Sequence, residues 1–251
     1  MMMDQFQNKH AMANNISQLQ PQKLSSNVWI GPLNSVAQNV FLSQNNIKYI
    51  IGIMPSQKCV YYLKSFSNDT SCCVSFDPNF NIQKLTEDEG ELIMKFNSKF
   101  SNNLSYITDN KLSNSIITNI DFQKMLSDYL TLIHSIQEKD PQCGILLFSL
   151  NGNDNVLSTF AMAGIIDQHN CDISSAFSYL RSIRPSVAPI DEFGYYAHEL
   201  MKFQLNNKAL KQFGGDDGST PTKIKRDARD ALGEEGDIHH HSPRNVKRTI
   251  L

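Results

Sequence analysis

Apolar and polar positions alternate along the chain in two different periods, and the switches between them mark out the elements. Val28-Trp29-Ile30 is a short apolar run closed by Gly31-Pro32, which reads as a strand and its stop. Ile47 to Ile53 is almost continuously apolar and β-branched, the pattern of a strand covered on both faces. From Ile120 to Glu138 the period lengthens: Phe122, Met125, Leu126, Tyr129, Leu130, Ile133 and Ile136 recur every three or four residues, which predicts a helix. Asp121 stands at its start as a cap, and Pro141 lies just past its end. Gly144 to Phe148 reads as a central buried strand. A polar loop then leads to an apolar helix over Val156 to Gln168. Asp172 is a good N-cap for a further helix presenting Ile173, Ala176, Phe177, Leu180 and Ile183, stopped by Arg184-Pro185. A last helix is expected from about Asp191, carrying Phe193, Tyr196, Leu200 and Phe203.

This alternation of strand and helix signals argues for an α/β domain. The stretch 54–104 carries a weaker pattern and reads as an irregular insertion. Within it, Cys59–Leu63 and Cys72–Phe76 are candidate arms of a hairpin, and Thr86–Phe100 a candidate helix opening on Glu87, Asp88 and Glu89. Tyr106-Ile107 reads as one more short strand. The flanks differ in kind. Residues 1–26 are rich in Asn, Gln and Met and read as a disordered arm, and 207–251, with Gly214-Gly215-Asp216-Asp217-Gly218, as a disordered tail. One domain over residues 27–206 is therefore expected.

Composition narrows the partners. A formal net charge of -2 over 251 residues gives no reason to expect nucleic acid or an acidic membrane surface. Met1 to Gln22 lacks the apolar run of a signal peptide, and no later run is long enough to span a bilayer, so a cytoplasmic or nuclear protein is expected. Five cysteines without a secretory signal argue against a disulfide framework. No Cys-x-x-Cys pair is present, His239-His240-His241 reads as solvated tail, and neither a metal nor a cofactor is called for.

The order strand, polar loop with glycine, apolar helix resembles the centre of the cysteine-dependent protein tyrosine phosphatases, in particular the dual-specificity family. Val28-Trp29-Ile30-Gly31-Pro32-Leu33 followed by Ile47-Lys48-Tyr49-Ile50-Ile51 looks like that family's opening strand and second strand. Ala176 to Pro189, with Arg184-Pro185-Ser186-Val187-Ala188-Pro189 and then Phe193, is close to its penultimate helix and Arg-Pro turn. The resemblance implies a central, mostly parallel, twisted sheet flanked by helices. In active members the signature loop reads His-Cys-x-x-Gly-x-x-Arg: a thiolate attacks phosphorus, and a bidentate arginine clamps the phosphate oxygens. Here Phe148 stands at the histidine position, Ser149 at the cysteine, Gly152 at the glycine and Asn155 at the arginine.

A check that needs no alignment agrees. The six arginines are Arg181, Arg184, Arg226, Arg229, Arg244 and Arg248, and none has a cysteine six residues before it. No base is evident in the sequence beside Ser149. Asp154 adds negative charge inside the loop, a repulsion of about 3 kcal/mol against a bound charge at about 5 Å and an effective dielectric of about 20. The family's general acid is an aspartate on a loop just after the third strand, and Asp109 resembles it as a relic.

The resemblance with these departures implies a catalytically degenerate pseudophosphatase, a regulatory or scaffold subunit binding proteins, phosphoproteins or kinases among them. The alternative is an active or weakly active phosphatase with an atypical loop. Leu150, Asn151, Gly152, Asn153 and Asp154 are the candidate partner- or anion-binding residues, since amides at a helix N-terminus form a shallow anion nest. Thr220-Pro221-Thr222-Lys223 and Ser242-Pro243 match sites of proline-directed kinases, which makes Thr220 and Ser242 candidate phosphorylation sites.

Overall fold

Strand β6, Gly144–Ser149, is buried at every position, and the rest of the sheet is arranged around it. A computed structural model describes residues 19–54, 72–91, 94 and 116–213. Among these, six strands form one sheet in the order β1-β2-β6-β3-β4-β5. They are β1 (Gln22–Lys23), β2 (Val28–Pro32), β3 (Ile47–Ile53), β4 (Cys72–Phe76), β5 (Ile116–Ile117) and β6. Only the β1–β2 pairing is antiparallel. The helices are α1 (Asn39–Gln44), α2 (Phe122–Lys139), α3 (Asn155–His169), α4 (Ile173–Ile183) and α5 (Tyr195–Phe213).

Successive side chains of β3 and β6 enter two different cores. Ile145 and Leu147, with Tyr49, Ile51 and Ile53, face the large cluster filled by α2, α3, α4 and α5. Leu146 and Phe148, with Ile50, face a smaller cluster closed by Val36 and Leu42 on the other side. Two buried faces are the reason these strands read as continuous apolar runs. Helix α3 lies inside the larger core, with Leu157, Phe160, Ala161 and Ile165 all buried, so it is apolar on every side. The expected mixed α/β class with a central, mostly parallel sheet flanked by helices is the class observed.

Capping follows the sequence. Asp121 accepts from the amides of Gln123 and Lys124 at the start of α2, and Asp172 from Ser175 at the start of α4. Thr86 and Glu89 form a reciprocal capping pair, Thr86 N–H to Glu89 Oε2 at 2.9 Å and Glu89 N–H to Thr86 Oγ1 at 3.4 Å, ahead of a helical segment at 87–91.

Several expectations need correction. Residues 19–26 are not part of a disordered arm: β1 pairs with β2, Leu24 is buried, and Tyr179 donates to the Leu24 carbonyl at 3.0 Å. Their polar composition hid partners supplied from far along the chain. Cys72–Phe76 is a strand but not the arm of a hairpin, since it runs parallel between β3 and β5. The last helix does not start near Asp191. A short 3-10 turn, Ile190–Phe193, is broken by Gly194 at φ +54°, α5 begins at Tyr195, and it runs to Phe213, past the expected limit of 206. Cys59–Leu63, most of the proposed Thr86–Phe100 helix, Tyr106-Ile107, Asp109, Thr220 and Ser242 lie outside the described residues.

Candidate functional site

Parallel pairing of β2, β6, β3 and β4 brings their C-terminal ends to one edge of the sheet, where α/β folds place their sites. At that edge β6 ends on Ser149, and α3 starts after its N-cap, Asp154. The connection turns back sharply at Gly152, whose φ is +74°. A Cβ there would lie 2.4 Å from Pro32 N and 2.7 Å from Arg184 Nη2, so both backbone conformation and close approach require glycine.

The polar groups of this loop are turned on one another. The Ser149 hydroxyl, with the residue 2% exposed, donates to Asp154 Oδ2 and accepts from the Gly152 amide at 3.0 Å. Asp154 Oδ1 accepts from Leu157 N–H at 3.0 Å. Asn153 Nδ2 reaches the Ser186 carbonyl at 3.3 Å, and Asn155 Nδ2 the Glu192 carbonyl at 2.9 Å, tying the loop to the Arg-Pro turn and to the 3-10 turn behind it. Leu150 is half exposed at the loop's outer side, and Asn151 is exposed beside it. Phe148 is 1% exposed in the smaller core, so the position reads as packing and no proton carrier stands there. The absence of a base beside Ser149 is corrected by the fold, because α3 capping carries the Asp154 carboxylate onto the hydroxyl.

An arginine does reach the end of β6, from the far end of the domain. Arg184 follows α4 and is completely buried. Its Nη1 donates to the Gln20 carbonyl at 3.2 Å and to Gln22 Oε1 at 3.0 Å. Burial pulls its pKa down to about 10, against the opposing pull of the Asp154 charge. The guanidinium therefore sits behind the loop, between Gly152 and the strap 20–22. In the sequence Arg184 marked a helix stop and the start of the Arg-Pro turn, with no place at the site; the signal that could have found it is a bulky cation directly before proline at the close of an amphipathic helix. The described cysteines lie elsewhere: Cys72 and Cys73 in the first half of β4, opposite Tyr49 and Ile50, Cys143 just before β6 at its other end, Cys171 after α3.

A second carboxyl stands on the same edge. Asp77 directly follows β4, is 5% exposed, and accepts from Asn79 N–H at 3.0 Å while its own N–H donates to the Ile117 carbonyl at 2.9 Å. Burial raises its pKa, partly offset by the Asn79 amide. With β3 between β4 and β6, Asp77 is two strand spacings from the Ser149 line, about 10 Å. Counting β2, β3 and β4, it is the aspartate just after the third strand, the description under which Asp109 was singled out. Assigning Cys72–Phe76 to a hairpin concealed it; the Phe76-Asp77-Pro78 step closing an alternating run was the signal.

A family model described as the YAL037W N-terminal domain matches residues 19–152, and the chain belongs to that family. No curated protein matches the chain in sequence. Solved structures similar to it include a leucine rich repeat and phosphatase domain containing protein from Entamoeba histolytica, at 15% identity and a TM-score of 0.44, over 80% of this chain and 99% of that one. Human tyrosine phosphatase-like serine/threonine/tyrosine-interacting protein is similar at 14% identity and a TM-score of 0.44, over 75% and 97%. Human DUSP28 is similar at 10% identity and a TM-score of 0.43, over 76% and 95%.

Proposed function

We propose that this chain is a catalytically inactive, dual-specificity-phosphatase-like protein that acts by binding partner proteins, as a regulatory or scaffold subunit, through the edge that carries the β6–α3 loop. The observation that carries this reading is the Ser149–Asp154–Gly152 arrangement. The hydroxyl at the attacking position spends its proton on a carboxylate and its lone pair on a loop amide. The same carboxylate places negative charge at the helix N-terminus, where a phosphate dianion would have to sit. At the clamp position Asn155 holds the Glu192 carbonyl, and the buried Arg184 faces Gly152 and the strap. Recognition that does not depend on phosphate follows, with proteins as partners.

One observation favours the second reading, a weak phosphatase: a hydroxyl donating to a carboxylate is also the form of a base-activated nucleophile. The two separate in an aryl phosphate assay on the full chain. The binding reading expects no turnover above buffer and no change in Ser149→Ala or Asp154→Asn. Turnover abolished by both substitutions establishes the enzyme instead.

A further inference from the structure

The β6–α3 loop borders a cleft of about 650 Å³, shared with the 3-10 turn Leu33–Ala37. Leu19, 60% exposed, and Leu150, 52% exposed, line it together with Leu33 and Val36. Its two sides are tied through the backbone. Leu33 N–H donates to the Leu150 carbonyl at 3.4 Å, and Asn34 Nδ2 to the Leu19 carbonyl at 3.0 Å. The volume falls in the range of pockets that take a ligand or a few side chains, roughly 300–1,000 Å³.

Charge is missing from this face. Charged residues make up 19% of the chain, yet Leu24 to Ile47 and Pro141 to Asn153 contain none. Burial of β2 and β6 accounts for part of this, but Asn34, Ala37, Asn39, Leu150 and Asn151 are exposed and equally uncharged. Val40, just past the cleft on α1, is 68% exposed. Asp154, the first charge beyond the loop, is turned inward onto Ser149 and Leu157. Exposed apolar groups on a surface depleted of charge have the composition of the core of a protein interface. A phosphate or a charged side chain entering the cleft would find no opposite charge among its described lining residues.

Shape narrows the occupant further. A second copy docked about a two-fold axis would set cleft against cleft and leave both unfilled. A protruding segment fills the cleft, with its apolar side chains against Leu19, Leu33 and Leu150 and its peptide groups against the side-chain amides of Asn34 and Asn151. We propose that this face is a docking site for an apolar, uncharged segment of a partner protein, taken up between the Leu33–Ala37 turn and Leu150. The proposal names the partner's chemistry for the binding reading above and rests on that reading.

Selection of random phage-displayed peptides on the full-length chain tests it, followed by titration with the selected peptide in synthetic, fluorescent form. The enriched pool is expected to be rich in Leu, Ile, Met and Phe, and poor in Asp, Glu, Lys and Arg, relative to the starting library. Leu150→Lys and Ala37→Lys, both at exposed positions, are each expected to weaken the titration by about tenfold or more. Met201→Lys, at a half-exposed apolar position on α5, is expected to leave it unchanged. A pool rich in charged residues, or one no different from the library, overturns the proposal. So does an apolar pool whose binding survives both cleft substitutions. Self-association of the parent in sedimentation velocity that Leu150→Lys abolishes also overturns it, since a second copy is then the occupant. Aryl phosphate turnover lost in Ser149→Ala strikes the binding reading and leaves these outcomes as they are, so the two failures are told apart.

Discussion

Asp154 uses one carboxylate for several contacts: it caps α3 through Leu157, accepts the Ser149 proton, and faces the buried Arg184. Asparagine caps a helix about as well as aspartate, so Asp154→Asn should keep the cap on Leu157; it removes the charge facing the buried Arg184, at an expected cost of about 1–3 kcal/mol, and with it the charge that opposes an anion. Isothermal titration with tungstate is expected to show binding in Asp154→Asn that the parent lacks; no difference would mean that the loop amides are not aimed outward at all. Gly152 is the other residue on which the loop's shape depends. Gly152→Ala adds a Cβ at positive φ against Pro32 and Arg184, so a loss of about 1–3 kcal/mol from backbone strain is expected before the clash is counted. A urea midpoint measurement reads it.

The short strap Leu19–Leu24 shows how little an element's own composition says about its order. It is mostly polar and holds a strand of only two residues, yet Leu24 is buried, Gln20 and Gln22 hold the Arg184 guanidinium, and Tyr179 holds Leu24. Cutting the chain at residue 27, the boundary that composition suggests, should cost several kcal/mol: a buried apolar side chain is lost, and a buried cation loses two acceptors at about 1–3 kcal/mol each. The midpoint of urea unfolding for residues 27–251 against 19–251 checks this, and equal midpoints would refute it. The elements with a strong period were legible from sequence. The α2 stripe, β6 and α4 with its Asp172 cap stand where the pattern placed them, because their signals are local. β1 and the role of β4 were not legible, since both depend on pairing with strands from elsewhere in the chain. The same holds for the site. Ser149, Gly152 and Asn155 follow from the loop's own letters, whereas the Asp154–Ser149 contact, Arg184 and Asp77 arise from caps and chain reversals that spacing does not record.

At the scale of the whole molecule, acid and base act on the fold through groups such as Asp77. Burial raises its pKa in the fold, so between its unfolded value and its folded value the native chain holds the extra proton. Its contribution is therefore favourable below the carboxylate's usual range and is lost as pH rises through the folded pKa. Asp77→Asn, which keeps an acceptor for the Asn79 amide, is expected to raise the thermal midpoint at pH 7 relative to the parent and to narrow or abolish that gain near pH 3. A gain of equal size at both values would show that the charge is not responsible. The sheet's layered architecture is the part of the molecule most directly legible in the sequence: a run buried on two faces has few ways to fold.

The handshake between Ser149 and Asp154 also bears on how reversible the present state is. Exchanging the serine oxygen for sulfur would set a thiol against an anion, which raises the thiol's pKa and holds back its ionisation. Adding a guanidinium at position 155 without touching its neighbour would give that group a carboxylate to neutralise before any visitor arrived. On the proposed binding reading, neither exchange alone is expected to build a phosphate site, and only their combination with removal of the Asp154 charge would.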